Sequence, residues 1–118
     1  MRRIIQLAGL SALCALIATP LPKREVPRTV VVLVRPNGME PRQVQVPAGP
    51  LFLAAQNRSS ARNLKLDLDV EKGNRVREVA LPAHKAVSEE LYDLTPGTYL
   101  LTEATHPAWV CRIVVTPK

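Results

Sequence analysis

Apolar and polar residues alternate in short runs from residue 29 to the end of the sequence, and turn-forming residues separate the runs. In the clearest run, residues 63–70, Leu or Val occupies every second position and Lys or Asp lies between them. A period of two places successive side chains on opposite faces of a strand. The pattern predicts seven or eight strands, over residues 29–35, 43–46, 51–56, 63–70, 76–81, 85–94, 98–103 and 110–116.

These predicted strands are short and regularly spaced, and no segment has convincing helical periodicity. Such spacing is typical of a β-sandwich or barrel, so the sequence predicts an all-β fold. Two sets of alternating residues are expected to share an inward face: Leu64, Leu66, Leu68 and Val70 in one strand, and Cys111, Ile113 and Val115 in the last strand.

The N-terminal segment has a different pattern. Arg2 and Arg3 precede an apolar stretch over residues 4–18, which ends before Pro20 and Pro22. This order is typical of a signal peptide, and the stretch is shorter than the roughly twenty residues of a membrane span. We therefore predict a signal peptide over residues 1–22, a linker over 23–28 and one domain over 29–118. The protein is then exported, periplasmic or secreted, and has no membrane contact unless the segment is retained as an anchor.

Composition narrows the classes of function. The net charge is +6, and without Arg2 and Arg3 the chain keeps 14 basic against 10 acidic residues, which are interleaved. Aromatic residues make up 3% of the chain, too few and too scattered for the stacking platforms of nucleic-acid binding. With two histidines and no phosphate-binding loop, the sequence offers few general bases. We predict a non-enzymatic protein with an unknown protein partner and no nucleic-acid partner.

Two cysteines are present, and Cys14 falls within the predicted signal peptide. Cys111 is then alone in the domain, so no intramolecular disulfide is expected. A buried structural thiol is the ordinary role of such a residue. The alternative is a metal-binding thiol, with His106 as the second ligand.

Three segments carry a further pattern. Residues 44–49 read Val-Gln-Val-Pro-Ala-Gly and lead through an apolar strand to Asn57, and residues 61–64 read Ala-Arg-Asn-Leu. Residues 94–99 read Leu-Thr-Pro-Gly-Thr-Tyr and precede the His-Pro-Ala-Trp of residues 106–109. In this order they resemble the cupredoxin-like family of plastocyanin and azurin type, over almost the whole predicted domain. The resemblance implies a Greek-key β-sandwich.

The family's type-1 copper is held by two histidines, one Cys thiolate and a weak axial thioether. By resemblance, Arg62 stands at the first His position and Glu103 at the Cys position. His106 occupies the second His position, and Trp109 or Val110 the axial one. A charged guanidinium has no lone pair to offer a metal. The resemblance therefore implies a degenerate type-1 copper site.

Arg62 and Glu103 are expected to meet at this position and to form an ion pair in place of the metal. We predict a small exported cupredoxin-like binding or accessory module without a type-1 copper site and with no cofactor. Its partner surface is predicted around Arg62, Glu103, His106 and Trp109. The alternative is a periplasmic copper-binding protein that uses His106 and Cys111.

Overall fold

The computed structural model describes residues 26–118, and this region contains nine strands and no helix. The strands are β1 Arg28–Arg35, β2 Gly38–Glu40, β3 Gln43–Pro47, β4 Gly49–Asn57, β5 Leu64–Val70, β6 Arg75–Leu81, β7 Val87–Leu94, β8 Gly97–Glu103 and β9 His106–Thr116. The predicted signal peptide lies outside the described residues, and the first strand begins at Arg28, the last residue of the predicted linker.

The strands form two sheets. The first has the order β2-β1-β4-β7 and the second the order β3-β9-β8-β5-β6. β1 runs parallel to β4 and β3 parallel to β9, whereas every other pair is antiparallel. The predicted all-β sandwich is therefore confirmed, with β2 as a short strand that the turn pattern around Gly38 did not reveal.

The core lies between the inner faces of the two sheets and is almost entirely aliphatic. Leu66 and Leu68 of β5 lie beside Leu101 of β8 and Ile113 of β9 on the inner face of the second sheet, within one buried cluster. Alternate residues of these strands point inward because the side-chain period of a strand is two. Leu64, Leu66, Leu68, Cys111, Ile113 and Val115 are all buried, as predicted.

Val70 is an exception to this burial, because its side chain is 38% exposed. The pairing register between β5 and β6 shifts between Leu68 and Asp69. The extra residue is Val76 of β6, whereas β5 keeps its register with β8, so Val70 lies opposite the buried Tyr99. Val70 therefore stays on the inward side, and it is partly exposed as the last residue of β5, next to the 71–74 turn.

The strand ends at one end of the sandwich are joined by connections over residues 36–37, 57–63, 82–86 and 104–105. We call this part, together with residues 106–109 of β9, the loop end. Backbone hydrogen bonds hold the connections together: Arg58 N donates to Val34 O at 2.7 Å. Ala83 N donates to Asn63 Oδ1 at 3.0 Å. The loop end brings together all the residues of the predicted partner surface.

Candidate functional site

Glu103 is the last residue of β8, and it occupies an inward position. Tyr99, Leu101 and Glu103 alternate on the buried face of this strand, and Glu103 is 0% exposed. A carboxylate buried without partners costs several kcal/mol, at least about 3, so such a group needs hydrogen bonds or a countercharge. The residues around Glu103 supply the hydrogen bonds.

Both carboxylate oxygens of Glu103 accept hydrogen bonds. Lys65 N donates to Oε2 at 2.9 Å. Thr105 donates to Oε1 through its backbone N at 2.9 Å and through Oγ1 at 2.5 Å. His106 Nδ1 lies 2.7 Å from the same oxygen. The buried carboxylate therefore joins β5, the two-residue turn Ala104–Thr105 and the start of β9.

These contacts determine the charge of Glu103. Burial opposes ionisation and raises the pKa, but the hydrogen bonds from Thr105, Lys65 and His106 together outweigh it and lower the pKa from 4.5 to about 2. Glu103 is thus a carboxylate at neutral pH and accepts hydrogen bonds only. His106 Nδ1 must therefore carry the proton that it shares with Glu103.

The imidazole of His106 stacks on the indole of Trp109. The ring centroids are 3.9 Å apart and the planes differ by 9°. β8 and β9 pair through Glu103 with His106 and through Thr102 with Val110, so residues 107–109 have no partners on β8. This irregular insertion re-aims side chains next to the turn, and it brings Trp109 over His106. The His106 side chain remains 42% exposed.

Arg62 does not pair with Glu103, so the predicted ion pair is wrong. Among residues 26–118 the basic side chain that contacts Glu103 is His106, at 2.7 Å, and Arg62 takes part in no ion pair. Glu103 is enclosed beneath the turn, and its oxygens are already bonded to Lys65 N, Thr105 and His106. Arg62 lies in the 57–63 connection with its side chain exposed to solvent.

Cys111 lies in the interior of the second sheet, opposite Leu101 of β8. It is 0% exposed, and burial raises the pKa of its thiol to about 11. The thiol is therefore protonated at neutral pH, whereas a metal ligand needs the thiolate. This environment is that of a structural buried cysteine.

The donor atoms at the loop end do not fit a type-1 copper ion. Glu103 supplies hard oxygens that already accept hydrogen bonds, Arg62 is a cation, and the indole of Trp109 is a donor only. A type-1 centre needs a soft thiolate with imidazole ligands. Within the region that the structure describes, no three or more His, Cys, Asp or Glu side chains are grouped so that they could hold a metal ion.

A groove of about 350 Å³ opens beside Trp109. The β1–β2 turn forms one wall and the start of β9 forms the other. Its lining residues are Asn37, Gly38, Met39, Arg42, Ala108 and Val110.

The partners of Glu103 were not predicted from the sequence. Thr105 and the backbone of Lys65 give no motif, since Lys65 lies 38 residues from Glu103 along the chain. One signal was available: an acidic residue at an inward position of a predicted strand requires partners nearby. The residues of the predicted partner surface, Arg62, Glu103, His106 and Trp109, do lie at one end of the sandwich, although Glu103 is buried within it.

Comparisons with known proteins identify the fold. No protein-family model matches the chain, and no curated protein matches it. Among solved structures, it is similar to auracyanin A, a "blue" copper protein from Chloroflexus aurantiacus, with a TM-score of 0.64 and 15% identity over 77% of this chain and 100% of that one. Auracyanin from Roseiflexus castenholzii gives a TM-score of 0.61 and 14% identity over 79% of this chain and 100% of that one.

A purple cupredoxin from Nitrosopumilus maritimus gives a TM-score of 0.58 and 14% identity, over 73% of this chain and 98% of that one. These similarities span nearly the whole of each solved domain. The chain therefore has a cupredoxin-like fold, as the resemblance in the sequence implied. No helix among residues 26–118 is long and apolar enough to cross a membrane.

Proposed function

We propose that this protein is an exported, non-enzymatic cupredoxin-like domain that binds a protein partner through its loop end and holds no type-1 copper. The observation that carries the proposal is the buried carboxylate of Glu103, bonded to Lys65 N, Thr105 and His106. It stands where the resemblance places the copper thiolate. Hydrogen bonds within the chain thus connect the strands and the turn at the position where a metal ion connects them in copper-binding proteins of this fold.

A binding role is supported by the rigidity of this end. Glu103 orients His106, and His106 stacks on Trp109, so an indole and an imidazole are held in one arrangement before any partner arrives. Preorganised side chains lose little conformational entropy on binding. Trp and Arg are the residues that most often dominate binding energy at protein interfaces, and Arg62 is exposed at the same end.

The second candidate, copper binding by His106 and Cys111, is favoured by the copper protein among the structural neighbours. It requires the buried Cys111 thiol to ionise and to reach His106 at the far end of β9. The pKa of about 11 at Cys111 opposes this.

Copper titration of the purified protein separates the two candidates. Trp109 is the single tryptophan of the chain, and it stacks on His106, so its fluorescence reports on a metal at that imidazole. We expect no stoichiometric quenching by Cu(I) or Cu(II) and no thiolate-to-copper absorption band. Stoichiometric quenching that is lost in His106→Ala and Cys111→Ser, but kept in the control His84→Ala, would establish the copper-binding alternative.

A further inference from the structure

The loop end and the adjoining groove carry basic side chains without acidic partners. Arg58 and Arg62 lie in the 57–63 connection, Lys85 lies in the 82–86 connection, and Arg42 lines the groove beside Trp109. All four are exposed, and none takes part in an ion pair within the described region. We call these four residues the basic cluster.

Acidic residues do not balance the cluster. Glu40 pairs with Arg35 at 2.7 Å, and Glu103 is buried and pairs with His106. The connections over 57–63, 82–86 and 104–105 contain no Asp or Glu. The loop end therefore has a local excess of positive charge, which attracts anionic groups and speeds their association.

The strands of the second sheet show the opposite arrangement. There, basic side chains form ion pairs with acidic ones: Lys65 with Glu78, Arg75 with Asp67, Asp69 and Glu78, Arg77 with Glu90, and Arg112 with Glu71. The outer face of this sheet is therefore matched in charge. The exposed basic side chains without an ion pair in the described region lie mainly toward the ends of the sandwich, with Arg28 and Lys72 at the end opposite the loop end.

From this arrangement we propose that the loop end binds an acidic segment of a protein partner, whose carboxylates pair with the basic cluster around the groove beside Trp109. This rests on the proposed function and names the chemistry of its partner. Arginine guanidinium groups bind carboxylates through two parallel hydrogen bonds, which gives orientation as well as attraction. An apolar centre within a polar rim is the usual layout of a protein interface, and Met39, Ala108 and Val110 give the groove an apolar lining.

Other anionic partners fit this end less well. The tips of its connections are Asn37, Ser60, His84 and Thr105, and none is a large apolar side chain that would insert into a membrane. One face of the Trp109 indole is covered by His106, which leaves no row of open aromatic faces for nucleotide bases. A carboxylate-bearing protein segment needs neither feature.

A titration with a short synthetic peptide of alternating Glu and Ser tests the proposal. The isotope-labelled protein is followed by amide NMR shifts and Trp109 fluorescence, at low salt and at about 0.15 M salt. We expect shifts confined to residues of the loop end and weaker binding at the higher salt. The double variant Arg58→Glu/Arg62→Glu should weaken binding by about tenfold or more, since several exposed charge pairs are lost.

The control is Arg28→Glu, which changes an exposed charge at the start of β1, at the other end of the sandwich. It should weaken peptide binding by less than about twofold, because salt screens charges at that distance. An equal loss in the control and double variants, absence of peptide binding, or tighter binding to phosphatidylglycerol vesicles or to single-stranded DNA would each overturn the proposal.

Failure of the acidic-segment proposal is distinguishable from failure of the proposed function. Stoichiometric copper binding at His106 would contradict the proposed function itself. If copper does not bind and the peptide shifts lie elsewhere on the protein, only the acidic partner is wrong.

Discussion

Glu103 occupies a position at which the alternation of β8 calls for an apolar side chain. Its neighbours on the same face, Tyr99 and Leu101, are buried hydrophobic residues. The carboxylate is tolerated there because Lys65 N, Thr105 and His106 donate hydrogen bonds to it. Glu103 therefore connects the end of β8 to β5, to the 104–105 turn and to the start of β9.

The depressed pKa of Glu103 predicts a pH dependence of stability. Since the pKa is about 2 in the folded protein and 4.5 ordinarily, the unfolded chain binds the proton more strongly. The stabilisation is fully present above about pH 5 and is lost as pH falls through 4.5 towards 2, by an amount on the order of 3 kcal/mol. Urea unfolding at a series of pH values measures it.

The variant Glu103→Gln isolates this contribution. We expect the variant to be less stable than the wild type by about 2–4 kcal/mol at pH 7, because its amide nitrogen must face a donor. The difference should shrink as pH approaches 2. Glu89→Gln, at an exposed position of β7, is the matched control and should follow the wild type. A Glu103→Gln curve parallel to the wild-type curve would show that folding does not change the pKa of Glu103, which would contradict this account.

Cys111 is predicted to be chemically inert in the folded protein. Its side chain is fully buried, and the raised pKa keeps it as a thiol, whereas alkylation requires an accessible thiolate. Iodoacetamide labelling at Cys111, read by peptide mass spectrometry, should be slow in native protein and fast in urea. A Ser60→Cys variant provides an exposed thiol for comparison. Native labelling of Cys111 as fast as that of the introduced thiol would contradict the buried structural role.

At the scale of elements, alternation predicts the strands that have one buried and one exposed face. β5 and β9 follow it closely, and their inward residues Leu66 and Ile113 are fully buried. β2 was not predicted, because alternation over three residues after a turn does not distinguish a strand from a loop. The exposure of Val70 was not predicted because alternation gives the face of a residue but not its distance from the end of the sandwich, and Val70 is the last residue of β5.

The candidate site was predictable only in part. The resemblance placed Glu103, His106 and Trp109 in one turn region because these residues are close in sequence. It gave the wrong partner for Glu103, since the Arg62 side chain lies outside the turn that encloses the carboxylate. Backbone donors such as Lys65 N have no sequence signature, because every residue except proline has one.

The connection between β7 and β8 offers a test of the Pro-Gly-x-Tyr segment. The Tyr99 hydroxyl donates to Thr95 O at 2.8 Å, which joins the strand to the preceding turn. Tyr99→Phe should reduce the free energy of unfolding by about 1 kcal/mol, the usual net value of one hydrogen bond. Tyr92→Phe is the control, because the Tyr92 hydroxyl has no hydrogen-bond partner among the residues described. Equal effects of the two substitutions would indicate that the hydroxyl bond does not hold this connection.

At the scale of the whole molecule, a shared fold does not imply a shared functional site. The chain shares its sandwich with auracyanin A at 15% identity, because many aliphatic cores satisfy the same alternation and topology. A copper site depends on a few donor atoms, which a shared fold does not determine. The residues that shape the loop end therefore belong to this chain, while the frame that positions them is common to the fold.

Thermal unfolding with and without copper tests the central claim, that the loop end is closed by Glu103 and not by a metal. A ligand that binds only the folded state raises the unfolding temperature, by an amount that increases with the logarithm of its concentration relative to its Kd. We predict the same Tm for the protein with excess Cu(I), with Cu(II) and with a chelator. A copper-dependent rise in Tm that disappears in His106→Ala or Cys111→Ser, and persists in His84→Ala, would contradict the claim.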